Sequence, residues 1–272
     1  MSSFSVCMSV YFKDKPVDLR TAVGSVCFQT VPPGEIILVV DGPIPRELDR
    51  EVCLLADEIE ILKVIRLEIN QGHAVARQMG LEAASNELVA VMDSDDIALS
   101  TRFEKQLEVF RKHPEVSIVG GLIYEFIDDP SNVVGIRMVP QNDDEIKSYM
   151  RSRCPMNMVT VMLRKTEVQK AGGYLDWYCE EDYYLWVRLV LMGCCFHNIQ
   201  ENLVYVRVGK GMYARRGGWR YFKSESALQK YMWRHHLISF PRFVYNVAGR
   251  FVVEVIMPDK LRGLIFQKLL RK

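Results

Sequence analysis

The 272 residues are 49% hydrophobic and 25% charged, with a formal net charge of +1, which suits one large domain, or a domain with an appendage, around a sizeable core. Seven cysteines, an odd number with no CxxC pair, exclude a disulfide framework and a zinc site and predict reduced thiols in a cytosolic protein. The start, Met1-Ser2-Ser3-Phe4, has no basic region ahead of an apolar stretch, so no signal peptide is expected, and Phe243 to Met257 is too short and too charged (Arg250, Glu254) to span a bilayer.

In chain order, Phe4–Phe12 predicts a first strand and Val17–Gln29 a helix, entered at Pro16 and ended near Pro32-Pro33-Gly34. Glu35–Val40 predicts a second strand closing on Asp41-Gly42, Pro45–Ile59 a helix, Ile61–Leu67 a third strand, Gly72–Ala84 a helix and Glu87–Met92 a fourth strand. Strands alternating with helices over short loops predict βαβ units and a mostly parallel sheet, with the strand carboxyl ends on one edge. After a helix over Thr101–His113 the pattern loosens. Strands over Val116–Ile127 and Val133–Val139 flank a loop, Asp143–Arg151 is a short helix, Val159–Leu163 reads as strand, and Gly172-Gly173 stops a helical turn. Glu181–Met192 has helical spacing, and from Gly217 the chain predicts helices broken at Pro241 and Pro258.

The small net charge hides an asymmetry. Arg207 to Lys272 holds fifteen Lys and Arg against three Asp and Glu, while residues 1–206 hold twenty against thirty-one. A basic tail on an acidic body points to a phosphate-bearing substrate, a membrane surface or nucleic acid, or is simply a solvated helix face.

The strand through Met92 runs straight into Asp93-Ser94-Asp95-Asp96. Carboxylates this crowded raise one another's pKa unless a cation lies among them. A hard divalent ion with oxygen ligands is the natural counter-charge, and its open positions meet phosphate. The plain alternative is a solvated turn with an Asp capping the next helix. Asp41 ends the second strand, and Tyr11 and Lys13 lie past the first. There an Asp can accept from a base or ribose and an aromatic can stack on a base, although Asp41-Gly42 alone is an ordinary turn. Asn70-Gln71-Gly72-His73 opens a helix, a ready anion site without GxGxxG or Walker spacing. Arg77, further along it, can reach phosphate or pair with an acid. Glu180-Glu181-Asp182 opens another helix, where the dipole favours acids; aimed at the same crevice, one of them supplies a general base. The basic, Gly-rich run from Arg207 to Trp219, with Arg215 and Arg216, predicts a lid over a diphosphate or else a plain loop.

Taken in order, Phe4–Tyr11, Val39-Val40-Asp41-Gly42, Asn70-Gln71-Gly72 with Ala76-Arg77, Met92-Asp93-Ser94-Asp95-Asp96, Gly172-Gly173-Tyr174 and Glu181-Asp182-Tyr183-Tyr184-Leu185-Trp186 resemble the family 2 glycosyltransferases over residues 4–206. The resemblance implies an α/β fold of GT-A type, a Rossmann-like, mostly parallel sheet flanked by helices. Residues 1–206 would form the catalytic domain and 207–272 a basic lid and C-terminal helical extension. It implies inverting transfer from a UDP-sugar with Mn2+ or Mg2+. Tyr11 and Asp41 would hold the uridine, with Asn70, Gly72, Arg77, Arg207, Arg215 and Arg216 around the donor. Asp93 would contact ribose or the metal shell, Asp95 would be the principal metal ligand, and Asp182, beside Glu181, the catalytic base. The register of the acidic motif leaves Asp96 without an assigned role.

Cys154 to Met162 and Met212 to Glu225 narrow the resemblance to bacterial enzymes that build O-antigen, capsule or exopolysaccharide on a polyprenyl-diphosphate lipid. That implies a lipid-diphosphate-linked saccharide acceptor, a cytoplasmic enzyme peripheral at the inner face of the cell membrane, and no nucleic-acid partner. No Gln-x-x-Arg-Trp motif is present, which favours transfer of a single hexose, β-linked galactose or glucose. Val208 and Gly209 follow Arg207 where some relatives carry a His. Two other readings compete. A sugar-phosphate nucleotidyltransferase wants a Gly-rich, basic signature that Phe4–Lys15 lacks. A non-catalytic glycan- or nucleotide-binding module would have no need of Asp93, Asp95 and Asp182. In the tail, Phe243, Val247, Phe251 and Val255 step by four, as do Leu261, Ile265 and Leu269. This predicts two amphipathic helices on either side of Pro258, laid on an anionic membrane surface or packed as a cap on the body.

Overall fold

A computed structural model describes residues 3–209 and 217–257. Its first half alternates as expected: β1 (Phe4–Val10), β2 (Glu35–Val40), β3 (Leu62–Arg66) and β4 (Leu88–Asp93) are joined by α1 (Pro16–Cys27), α2 (Arg46–Glu58) and α3 (His73–Ala83). β1 pairs in parallel with β2 and β4, and β2 with β3. Every residue of β2, EIILVV, is buried, the continuous apolar run of a parallel strand covered on both faces. Pro16 lies in the first turn of α1, where its missing N–H costs nothing.

The second half comprises β5 (Ile97–Ala98), α4 (Arg102–Lys112), β6 (Val116–Phe126), β7 (Val133–Arg137), α5 (Asp143–Met150), β8 (Met162–Arg164), α6 (Lys165–Lys170), α7 (Glu181–Leu191) and β9 (Cys195–Arg207). The described strands form one sheet in the order β3-β2-β1-β4-β8-β6-β9-β5, with β7 on β6. β6 and β9 are parallel, whereas β8, β7 and β5 run antiparallel to their neighbours. Two local expectations need correction. Val159–Leu163 is mostly not strand: Met158–Thr160 is a 3-10 turn, closed by Thr160, whose N–H and hydroxyl both donate to the Asn157 carbonyl at 2.9 and 2.7 Å. β9 was not expected at all, because His197, Asn198, Gln200, Glu201 and Asn202 interrupt its apolar pattern. Asn198 nevertheless fits inside, its amide donating to the Pro140 and Pro155 carbonyls at 2.8 and 3.1 Å. The last pair of β9 is Phe126 with Arg207, so residue 206 lies within this strand.

Apolar side chains pack on both faces of the sheet. One core lies under α1, α2 and α4. The other lies under α3, α5, α7 and the first C-terminal helix, α8 (Trp219–Arg234). α9 (Phe240–Phe251) follows, with Pro241 in its first turn, so the helix break lies ahead of that proline, and a π-helical turn over Val252–Ile256 extends it. α9 is inverted relative to a normal surface helix. Asn246 and Glu254 are buried and Arg250 is half-buried, while Phe240, Val244, Tyr245, Val252 and Ile256 are exposed, Tyr245 at 73%. The stripe Phe243–Val247–Phe251 divides: Phe243 stacks on Trp233 at 5.4 Å and Phe251 reaches solvent. Among the described residues no helix is long and apolar enough to cross a membrane. Pro258 and the Leu261 stripe lie outside the described residues.

Candidate active site

The parallel strands deliver their carboxyl ends to one crevice. Asp41, next after β2, is buried and binds the loop that opens α3. Its Oδ1 accepts the Gln71 N–H at 2.7 Å, and its Oδ2 accepts the Gly72 N–H at 2.9 Å and the Asn70 amide at 3.0 Å. Gly42 permits this approach. Its φ is +83°, and a Cβ there would lie 2.3 Å from the Asn70 nitrogen. Asp41, Asn70 and Gly72 thus form one unit at the head of α3. The Tyr11 ring lies beside it, 6.2 Å from His73.

Asp93 is the last residue of β4 and 36% exposed. Beyond it the chain turns through Ser94, whose hydroxyl donates to Asp14 Oδ2 at 2.8 Å; the same oxygen accepts the Tyr11 N–H at 3.0 Å. Asp95 is pushed up to about 6 by burial, then by the neighbouring Asp93 and Asp14. Asp96 is buried, and burial together with Asp95 and Asp93 raises its pKa as well. It does not cap α4, whose N-cap is Thr101. Its Oδ1 instead accepts the Arg207 N–H at 2.8 Å. Among the described residues no three His, Cys, Asp or Glu side chains close around a metal position. The chemistry fits a hard divalent cation held from one side by Asp95 and Asp93, in an all-oxygen setting whose like charges call for a counter-ion.

Arg77 joins this turn to the second acidic group. It projects from the second turn of α3, almost wholly buried. Its Nη1 lies 2.7 Å from Asp182 and 3.5 Å from Glu181, and its Nη2 lies 3.3 Å from Asp93. Burial opposes its charge, but Asp182, Asp93 and Glu181 outweigh it and raise its pKa. Asp182, in the first turn of α7 and 26% exposed, is pushed up to about 6 because burial exceeds the pull of Arg77. The Gly172-Gly173 turn sets α7 against α3. Gln78 Oε1 accepts the Tyr174 N–H at 2.8 Å, and Arg188 of α7 donates to the Ala171 and Gly173 carbonyls at 2.5 and 2.7 Å.

Arg207, expected at the root of a lid over donor phosphate, is instead built into the body. Its guanidinium meets Asp18 at 2.9 Å and the Asp128 carbonyl at 2.8 Å, and lies over the Phe126 ring. The strand end and these partners fix it, so it braces the acidic turn rather than swinging over it. Arg215 and Arg216 lie outside the described residues. Arg102 of α4 carries no local signal in the sequence, yet it is fully buried behind β4, where Nη2 donates to the Val91 carbonyl at 2.7 Å. Burial lowers its pKa to about 9, against the fields of Asp93 and Asp96. Asp14 and Asp18 were missed too, although each follows β1 closely.

A cavity of about 860 Å³ opens beside these groups. Its walls include Asp93, Asp182, Arg137 and Glu125, the turn from Ser152 to Val159, and residues of α8 and α9. α8 closes over the head of α7, with Tyr221 donating to Glu180 at 2.7 Å.

The profile of Glycosyl transferase family 2 matches residues 5–169. An uncharacterized glycosyltransferase of Haemophilus influenzae is 38% identical over 269 residues, 99% of each chain. The UDP-Gal:alpha-D-GlcNAc-diphosphoundecaprenol beta-1,3-galactosyltransferase of Escherichia coli is 36% identical, covering 99% of this chain and 97% of its own. Among solved structures, a Pyrobaculum calidifontis mannosyltransferase in complex with GDP-Man and Mn2+ superposes with a TM-score of 0.65 at 14% identity, over 96% of this chain and 72% of that one. Residues 1–349 of TarS from S. aureus, in complex with UDP-GlcNAc, superpose with 0.68 at 15% identity, over 97% and 75%. At such identities these two show the fold alone, the GT-A architecture. A mostly parallel sheet carrying its acidic residues at the strand ends, together with full-length relatives above one-third identity, leads to one conclusion: this chain is a glycosyltransferase of family 2.

Proposed function

We propose that this glycosyltransferase moves one hexose from a UDP-sugar to a hydroxyl of a polyprenyl-diphosphate-linked saccharide, with inversion. The observation that carries the reading is the Arg77 fork. It holds Asp93, at the end of β4, and Asp182, at the start of α7, within 3.3 and 2.7 Å of one guanidinium. Donor and acceptor groups thereby meet at one point. The substrates named for the E. coli galactosyltransferase, 36% identical along nearly the whole chain, support the donor and acceptor classes.

In this mechanism Asp41, Asn70 and Gly72 with Tyr11 form the seat of the uridine. Asp95, with Asp93, would hold Mn2+ or Mg2+, which when bound neutralises charge on the departing diphosphate. Asp182 takes the proton from the acceptor hydroxyl as that oxygen attacks the anomeric carbon. The bond to UDP breaks on the opposite face, so an α-linked donor gives a β-linked product. Arg77 orients Asp182 and keeps it ionised enough to act. Glu181 adds negative charge beside it. The exposed apolar face of α9 and the basic composition after Arg207 support peripheral attachment to an anionic membrane. The test is transfer from radiolabelled UDP-galactose and UDP-glucose to a synthetic GlcNAc-diphosphate-lipid with Mn2+ or Mg2+. A labelled β-linked disaccharide lipid is expected; no product and no UDP release with either donor would remove the reading.

A further inference from the structure

The start of α7, which carries the proposed base, is held from outside the helix. Glu180 is the N-cap of α7, yet its side chain makes no capping bond. Its Oε1 instead accepts the Tyr221 hydroxyl of α8 at 2.7 Å, and both residues are buried. The residue before it, Cys179, has φ +57°. A residue with a Cβ stays in the left-handed region only where its surroundings impose it. Asp182 lies two residues beyond Glu180, so the direction in which it leaves the helix depends on how this entry is held.

α8 supplies that hold. Along the approach to α7, the Trp177 indole donates to the Ser224 carbonyl at 3.2 Å, the Ser224 hydroxyl donates to the Tyr178 carbonyl at 2.6 Å, and the Arg220 guanidinium lies 3.9 Å from the Tyr178 ring centre. α8 is itself fixed by α9 and the π-helical turn. The Gly218 N–H donates to the Glu254 carbonyl at 2.9 Å, Arg250 pairs with Glu225 at 2.6 Å, and the Phe222 and Phe251 rings lie 5.4 Å apart. Asp182 meets Arg77 of α3 at 2.7 Å. Its carboxylate is therefore placed twice over, by α3 through Arg77 and by α8 through Glu180.

We propose that Tyr221 is a positioning residue for the base: by holding Glu180 it fixes the start of α7, and with it the direction in which Asp182 faces Arg77 and the acceptor hydroxyl. The inference rests on Asp182 as the base and adds what aims it. A general base works only within hydrogen-bond reach of the proton it takes, and a displacement of about 1 Å can cost about 10²-fold in rate. One hydroxyl on a neighbouring helix thus acts on the chemical step without touching the reacting atoms.

The test uses the full chain with GlcNAc-diphosphate-lipid and whichever of UDP-galactose and UDP-glucose supports transfer. Tyr221→Phe, which removes one oxygen and keeps the ring, is compared with wild type, with Asp182→Asn and with the double variant. Tyr221→Phe is expected to lower kcat about tenfold, with both KM values within about twofold and the circular dichroism spectrum unchanged. The acidic limb of its pH–rate profile should move upward, because a carboxyl held less closely by Arg77 keeps its proton to higher pH. In the Asp182→Asn background the same substitution should leave the residual rate unchanged, since no base is left to aim. An unchanged kcat overturns the assignment, and so does an acidic limb that stays in place. A loss that persists in the Asp182→Asn background overturns it too, as does a rise confined to the acceptor KM, which would make Tyr221 an acceptor contact. If Asp182→Asn alone turns over like wild type, the base reading falls and takes this role with it. If Asp182→Asn is slow and Tyr221→Phe is not, only the positioning role falls.

Discussion

The strands β1–β4 and the helix α9 are both rich in apolar residues, yet they put them on opposite sides of the solvent boundary. In β2 every side chain is buried and the first polar group after it, Asp41, faces the crevice. In α9 and the π-helical turn that extends it, the polar Asn246, Arg250 and Glu254 turn inward, and Val244, Val252 and Ile256 turn out. A sheet sandwiched between helices buries apolar surface for stability, about 1.5–3 kcal/mol for each large aliphatic side chain. α9 and the turn after it leave Phe240, Val244, Val252 and Ile256 exposed, which stabilises nothing unless a second apolar phase meets them. On the proposed reading, the first region is scaffold for donor chemistry and the second is the face that meets the membrane.

This division can be broken by substitution. Removing the proposed base should affect the chemical step alone. Asp182→Asn preserves shape but cannot take a proton, and kcat is expected to fall by about 10²–10⁴ with donor KM little changed. A parallel collapse of UDP-sugar binding, measured by calorimetry, would make Asp182 a structural partner of Arg77. Asp95→Ala should lower turnover by about 10²–10³, the scale of losing one preorganised electrostatic contact. Chelation of divalent ions should do at least as much, and full turnover in excess EDTA would rule out the metal role.

The pH dependence sharpens the same point. The Asp182 carboxyl is pushed up to about 6 by burial. A base acts only when ionised, so activity should be level above that pH and fall about tenfold per unit below it. An acidic limb that survives in Asp182→Asn would assign the titration to another group.

The legibility of the chain follows the same line. β1–β4 were readable because parallel strands are continuous apolar runs and their connecting helices are punctuated by Pro and Gly. The acidic residues at their ends were readable because like charges seldom cluster without purpose. β9 was not, since its polar residues are satisfied by distant backbone carbonyls that no local pattern reveals. Arg102 was equally opaque: on α4 it looks like one more surface base, and only its packing behind β4 shows otherwise. Arg207 looked mobile because it adjoins a Gly-rich run, whereas Asp18 and Asp128, far away in sequence, hold it. In α9, Phe243, Val247 and Phe251 step by four residues, and periodicity alone could not tell which of them would face the body.

The smallest expected effect on stability comes with the clearest effect on location. The triple variant Val244→Gln, Val252→Gln, Ile256→Gln changes only exposed side chains, so each substitution should alter stability by no more than about 0.5 kcal/mol. Phe243→Ala, by contrast, removes a ring stacked on Trp233 at 5.4 Å and should cost about 2 kcal/mol, below the range for a fully buried ring because this one is half-buried. If the outward face enters the headgroup boundary of an anionic bilayer, the triple variant should lose flotation with such vesicles while melting like wild type. Phe243→Ala should melt earlier yet float as long as it is folded. Bases alone attract the chain to the surface, but that attraction weakens with salt, whereas apolar insertion does not. Flotation at 0.5 M NaCl therefore separates the two contributions, and a triple variant that floats like wild type at that ionic strength would show that this face is not the one that meets lipid.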